Sequence, residues 1–142
     1  MLTIRGYRAV TELSALKGMP LTELNLNATQ VQDFSPLKGM SLTRLELDGT
    51  QLRDLELLKG MPLKRLGLHG TGVTDLTPLQ GMELEQIYLT PKNITQGLNI
   101  LRDMKSLKTI GIEYNQAWPA AEFWERYDKG EFKAAIVPPG AP

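Results

Sequence analysis

The feature that most restricts this chain is a beat in its methionines. Met19, Met40, Met61 and Met82 stand 21 residues apart, each directly behind a glycine (Gly18, Gly39, Gly60, Gly81), and Met104 arrives one residue late. Self-similarity at a short fixed period confines a chain to stacked architectures, because each unit buries its apolar side only against copies of itself. Aligned on the methionines, one unit reads Leu21, Leu24, Leu26, Thr29, Val31, Asp33, Phe34, Pro36, Leu37. The next two run Leu42, Leu45, Leu47, Thr50, Leu52, Asp54, Leu55, Leu58 and then Leu63, Leu66, Leu68, Thr71, Val73, Asp75, Leu76, Pro78, Leu79. A fourth begins Leu84, Ile87, Leu89 and continues through Ile94, Leu98 and Leu101; a fifth opens Leu107, Ile110, Ile112, Asn115 and then departs. Upstream, Leu2, Ile4, Val10, Leu13 and Leu16 read as the remainder of an incomplete first copy.

The spacing within a unit dictates its geometry. Alternation places Leu24 and Leu26 on one side of a short strand, with Glu23, Asn25 and Asn27 on the other. Equivalent strands then stack in parallel, and the chain must return across the far side of the core. Asp33-Phe34-Ser35-Pro36-Leu37 suits a short turn or 3₁₀ segment, since Asp caps free N–H groups and Pro is tolerated in a first turn. Asp54 and Asp75 repeat the cap, and Gly-Met-Pro turns the chain back. Threonine at positions 29, 50 and 71 can hydrogen-bond backbone left unpaired at the turn, with one hydroxyl rather than an amide's separate donor and acceptor. In the longer fourth unit, the spacing of Ile94, Leu98 and Leu101 predicts a helix over roughly 95–103, with Thr95 as N-cap.

The pattern Leu-x-x-Leu-x-Leu-x-x-[Thr/Asn]-x-[Val/Leu] resembles the leucine-rich repeat family over nearly the whole chain. The 21-residue unit with its Asp-Leu-x-Pro-Leu second half is most similar to the short internalin-like class of bacterial repeats. That class usually has Asn where Thr29, Thr50 and Thr71 stand here; only Asn115 keeps the amide. The resemblance implies an α/β fold: a right-handed solenoid of about five repeats, with short parallel strands on the concave face, turns or 3₁₀ segments on the convex face and a helical C-terminal cap. It also implies a division into repeats over 1–117, the first one incomplete, a cap over 118–133 and a flexible tail over 134–142. The Leu-Lys-Gly-Met-Pro-Leu units and the Trp-Pro-Ala-Ala-Glu-Phe-Trp-Glu-Arg-Tyr-Asp ending further resemble repeat regions found behind bacterial Ser/Thr protein-kinase domains. The kinase motifs themselves (a glycine-rich loop, His-Arg-Asp, Asp-Phe-Gly) do not occur in this sequence.

A stack of repeats exposes apolar edges at both ends. From Trp118-Pro119 to Gly130 the chain reads as a helix with Pro at its start and Gly after its end, carrying Phe123, Trp124 and Tyr127 on one side, with Trp118 and Phe132 nearby. This aromatic set is either a lid on the last repeat or a docking patch. At the other end, Met1-Leu2-Thr3-Ile4 would leave a bare strand edge, an aggregation hazard unless an upstream domain or a second subunit covers it.

Composition narrows the chemistry. The absence of cysteine excludes disulfides, thiolate metal sites and a catalytic thiol, and a single histidine cannot build a multi-histidine metal centre, so no metal and no cofactor is expected. With 16 basic against 16 acidic side chains, the chain is not built as a nucleic-acid binder. No apolar run approaches the ~20 residues that membrane insertion requires. No leader is visible at the N-terminus, which makes a cytoplasmic location the expectation.

Function is then sought on the polar side of the strands, where solenoids present their recognition surface. The repeat register sets out three columns: Glu23, Arg44, Arg65, Gln86, Thr109; then Asn25, Glu46, Gly67, Tyr88, Gly111; then Asn27, Asp48, His69, Thr90, Glu113. Arg44 and Arg65 fall side by side, an unfavourable pair unless Glu46 or a bound anion lies between them. Gly67 should leave a dip between Glu46 and Tyr88. Arg and Tyr are the commonest binding hot spots. The candidate protein- or peptide-binding patch is therefore Arg44, Glu46, Asp48, Arg65, His69 and Tyr88, with no catalytic residue. Two alternatives stand beside it: a structural or regulatory appendage of a larger, kinase-type protein, and a hydrolase using Asp48, His69 and Thr90 in the order acid, base and hydroxyl. The hydrolase needs a His69 nitrogen within ~3.2 Å of the Thr90 hydroxyl and Asp48 on the other nitrogen. Lys17, Lys38 and Lys59 recur at the corners, followed by Gln80 and Arg102, a solvated edge or a basic ridge.

Overall fold

A computed structural model describes residues 2–3, 10–113 and 115–132; of Leu2 and Thr3 it describes the strand backbone alone. Ile4, the tail over 134–142 and Met1 lie outside the described residues. Six strands run parallel in sequence order, β1 (Leu2–Thr3), β2 (Glu23–Asn25), β3 (Arg44–Glu46), β4 (Arg65–Gly67), β5 (Gln86–Tyr88) and β6 (Thr109–Glu113). β7 (Gln116–Pro119) then pairs antiparallel with β6. Every crossover from β2 to β5 carries a 3₁₀ turn: Ser35–Leu37, Glu56–Leu58 and Thr77–Leu79, with Ser14–Leu16 preceding β2.

The aliphatic positions explain the stack. Leu24, Leu45, Leu66, Ile87 and Ile110 occupy one register row and are all fully buried. Leu26, Leu47, Leu68 and Leu89 form a second buried row, and Leu37, Leu58 and Leu79 close the core from the 3₁₀ side. Asp33, Asp54 and Asp75 perform the expected capping: each Oδ1 accepts from the backbone N–H two residues on, at 2.9, 2.9 and 2.8 Å. Ser35 also holds the Asp33 carboxyl below the usual carboxylate range, through its side-chain and then its backbone hydrogen bond. The corner glycines, Gly18, Gly39, Gly60 and Gly81, all take φ between 79° and 85°, a left-handed conformation that reverses the chain and that a side chain would strain. Thr29, Thr50 and Thr71 are buried, and each hydroxyl donates to the carbonyl three residues back, at 2.9, 2.7 and 2.8 Å. The hydroxyl thus closes the turn inside its own coil.

The fourth unit departs from expectation. The helix there, α1, covers only Leu98–Arg102, its N-cap is Gly97, and Thr95 caps nothing. Both Thr95 N and Gln96 N donate to Thr74 O (2.8 and 3.2 Å), and Leu76 N donates to Gln96 O (3.0 Å). Residues 95–96 therefore run extended against the preceding coil and are lost to the helix. Gly97 then approaches so closely that a Cβ would lie 2.7 Å from Thr77 N, with φ at 86°. The helical spacing of Ile94 is real but belongs to an extended residue; a 3₁₀ turn at Pro91–Asn93 precedes it.

At the C-terminal end, α2 (Ala120–Asp128) follows Pro119 and stops before Gly130, as the sequence indicates. The strand β7 ahead of it was not foreseen. It extends the sheet, and Ala120 N then donates to Lys108 O at 2.9 Å, which fixes α2 over the last repeat. Phe123 is fully buried, its ring parallel to Phe132 at 5.0 Å and edge-on to Trp124 at 5.0 Å; Trp118 packs on Phe132 at 4.9 Å. Arg102 clamps the helix to α1, pairing both guanidinium nitrogens with Asp128 at 3.2 and 2.6 Å and lying 4.6 Å from the Trp124 ring centre. The members of the aromatic set thus pack on each other around the buried Phe123. Among the described residues no helix is long and apolar enough to cross a membrane.

Candidate functional surface

The side of the sheet opposite the leucines carries the columns in the register the repeats dictate: Glu23, Arg44, Arg65, Gln86 and Thr109 in one row, Asn25, Glu46, Gly67, Tyr88 and Gly111 in the next. Arg44 and Arg65 do stand side by side, and Glu46 resolves their repulsion. Its Oε1 accepts from Arg44 Nε at 3.1 Å and from Arg65 Nε. Glu46 retains only 3% exposure, while the Arg44 and Arg65 side chains keep 37% and 24%. Arg65 continues the chain, donating from Nη1 to Gln86 Oε1 at 2.8 Å and lying 4.9 Å from the Tyr88 ring centre. Burial pulls the Arg65 guanidinium down, but the Glu46 hydrogen bond and charge outweigh it and hold the group more firmly protonated than usual. Gln86 was not singled out from the sequence; its place beside Arg65 in the register is the signal that would have found it.

The dip expected at Gly67 is filled. A Cβ there would lie 2.8 Å from Asp48 Oδ1 and closer still to Glu46 Oε2, so both carboxylates lean across the glycine from the preceding strand. Gly111 has the same role one step on: Tyr88 lays its ring over it, in the space a Cβ would take. Each bulky member of this column therefore rests on a glycine of the next strand.

The third column is a staple more than a row of free groups. Asn27 Oδ1 accepts from Asp48 N at 2.8 Å, and Asp48 Oδ1 accepts from His69 N at 2.9 Å, each bridging to the next coil. Thr90 Oγ1 accepts from Gly70 N at 2.9 Å, reaching back. Desolvation raises the Asp48 carboxyl above its ordinary value, with the Glu46 charge adding to this, against the His69 N–H. This geometry corrects the hydrolase alternative. Thr90 Oγ1 stands 3.5 Å from His69 Nδ1, beyond the required reach, and the Asp48 hydrogen bond goes to the His69 backbone rather than to its imidazole. The three residues do not assemble a proton relay. Among the described residues no cluster of acidic, histidine or cysteine side chains could hold a metal ion. Of the corner lysines, Lys59 pairs with Glu56 at 2.9 Å within its own turn.

No protein-family model and no curated protein sequence matches the chain. Among solved structures, the chain is similar to internalin C2 of Listeria monocytogenes, at 29% sequence identity and a TM-score of 0.64. The likeness covers 77% of this chain and 51% of the other, so the chain spans about half the length of that structure. With leucine rows stacked in one register, 3₁₀ return turns and this likeness, the chain has an internalin-like leucine-rich-repeat fold.

Proposed function

We propose that the chain is a non-catalytic module that binds a protein or peptide through the open, concave face of its sheet, over Arg44, Glu46, Asp48, Arg65, His69 and Tyr88. Stacked repeats present extended recognition surfaces, and a leucine-rich-repeat fold of this kind suits a protein-binding module. The observation that carries the reading is the chain of contacts from Arg44 through Glu46 and Arg65 to Gln86 and Tyr88. These side chains are fixed by one another before any ligand arrives. Preorganised Arg and Tyr groups lose little freedom on binding, which is what turns surface area into affinity. Within this face the roles differ. Arg44, Arg65 and Tyr88 are the contact groups, Glu46 positions the arginines, and Asp48 ties adjacent coils.

The same reading keeps the division proposed from the sequence, with recognition on the repeats over 1–117 and the cap over 118–133 serving as a lid. The test is a selection of displayed random peptides on the immobilised protein, followed by a counter-screen on the double variant Arg44→Glu/Tyr88→Ala. Selected peptides should lose binding to the variant while its thermal melt stays cooperative. Peptides that bind both proteins equally would move recognition off this face.

A further inference from the structure

We infer that the occupant of this face is an acidic peptide segment, whose carboxylate is gripped between Arg44 and Arg65; the inference rests on the proposed binding role of the face. Glu46 takes the Nε–H of both arginines and is itself buried, so it offers almost nothing outward. What remains exposed is the donor edge of each guanidinium. Among the described residues, neither Arg44 Nη has a partner, Arg65 Nη2 has none, and the Tyr88 hydroxyl has none. Glu23 faces Arg44 in the register yet forms no ion pair with it among the described residues. The centre of the face thus shows a surplus of hydrogen-bond donors although its formal charge is balanced.

A carboxylate matches this surplus, because its two oxygens accept side by side from a guanidinium edge. A phosphate, with more charge than a single carboxylate, would be repelled more strongly by the Glu46 and Asp48 carboxylates that share the space above Gly67. Tyr88, seated on Gly111 with Arg65 over its ring, then supplies a fixed hydroxyl for a second acceptor along the peptide.

The test is an NMR titration of the whole protein, reading the arginine Nε–H and backbone amide signals, with capped pentaglutamate, capped pentalysine and inorganic phosphate in separate arms. Pentaglutamate should shift the Arg44, Arg65 and Tyr88 signals, and added salt should weaken it. Arg44→Gln should weaken it by about tenfold or more. Arg44→Lys should recover only part of the loss, because it restores charge without the paired donors. Glu23→Gln should tighten binding by about twofold, as a nearby repelling charge is removed. The inference fails if pentalysine shifts the same signals as tightly, if Arg44→Gln leaves pentaglutamate binding unchanged, or if phosphate binds more tightly than the peptide. Any of these outcomes, with peptide capture still lost in Arg44→Glu/Tyr88→Ala, removes the acidic occupant and leaves the binding face standing. Loss of that capture difference as well would remove both.

Discussion

On the core side of β2 to β5 stand Leu24, Leu45, Leu66 and Ile87, four aliphatic side chains of nearly equal volume, all fully buried. One residue further along each strand, on the open side, stand Asn25, Glu46, Gly67 and Tyr88. The first series is set by a period alone: any aliphatic group of the right volume fits between two copies of itself. The second is set by mutual fit. Glu46 needs the empty site at Gly67, Arg65 needs Glu46, and Tyr88 needs Gly111. The same strand therefore answers to two kinds of specification, one tolerant of identity and intolerant of volume, the other intolerant of both.

The largest expected effect tests the tolerant side. Leu66→Ala leaves a cavity in the middle of the stack and should cost about 2–5 kcal/mol in denaturant unfolding, whereas Leu66→Met, which conserves volume, should cost less than about 1.5 kcal/mol. Near-equal losses would mean that this core row is specified by shape as closely as the open face. Gly67→Ala comes next. Its methyl group would displace the Glu46 and Asp48 carboxylates and so weaken their hydrogen bonds to Arg44, Arg65 and the His69 N–H, a loss of about 1–3 kcal/mol. A melt unchanged by Gly67→Ala would mean that the carboxylates swing away freely and that the column has no mutual fit.

Glu46→Gln follows, and it keeps the shape of the side chain almost intact. It removes the charge that holds Arg44 and Arg65 together, so the expected loss is about 1–2 kcal/mol, reduced by high salt because both arginines are partly exposed. The contrast with Leu66→Met is the informative one: a near-isosteric change should be mild on the core side and costly on the open side.

How far these two specifications can be read in advance follows from their nature. The 21-residue beat already placed Leu24 beside Leu45, and Arg44 beside Arg65, because register in a stack is inherited from repeat length. What stayed hidden depends on neighbours outside the repeat. Thr95 satisfies the helix-start pattern, yet its N–H is taken by Thr74 of the preceding coil, a partner that no local pattern names. Gln116–Pro119 shows no strand alternation strong enough to compete with the helix signal that follows it, and becomes a strand through antiparallel pairing with β6. On the open face, Arg44, Arg65 and Glu46 were legible as a charge pattern. The filling of Gly67 was not, because the direction in which a side chain leans is decided by its cross-strand neighbour and not by its own position.

The smallest effect concerns Asp48, and here a substitution should help. Its Oδ1 accepts the His69 N–H, and Asn27 shows that an amide can hold the equivalent place, with its Oδ1 on Asp48 N. Asp48→Asn keeps that acceptor while removing a carboxyl that burial and the nearby Glu46 charge both disfavour in its ionised form. Native Asp48 holds its proton to higher pH than it does in the unfolded chain, so the native state binds more protons between the ordinary aspartate value of 3.8 and the raised one. Stability therefore falls as pH rises across that interval, and the penalty is complete above it. Asp48→Asn should match the wild type below pH 3.8 and exceed it by about 0.5 kcal/mol at neutral pH, within the range of a mild surface change. Comparing the two proteins at each pH cancels the opposite trend from Asp33, whose lowered value makes stability fall as pH drops. A variant less stable at neutral pH than the wild type would show that the charge on Asp48 strengthens the His69 staple by more than its burial costs, placing this residue with the mutually fitted groups of the open face.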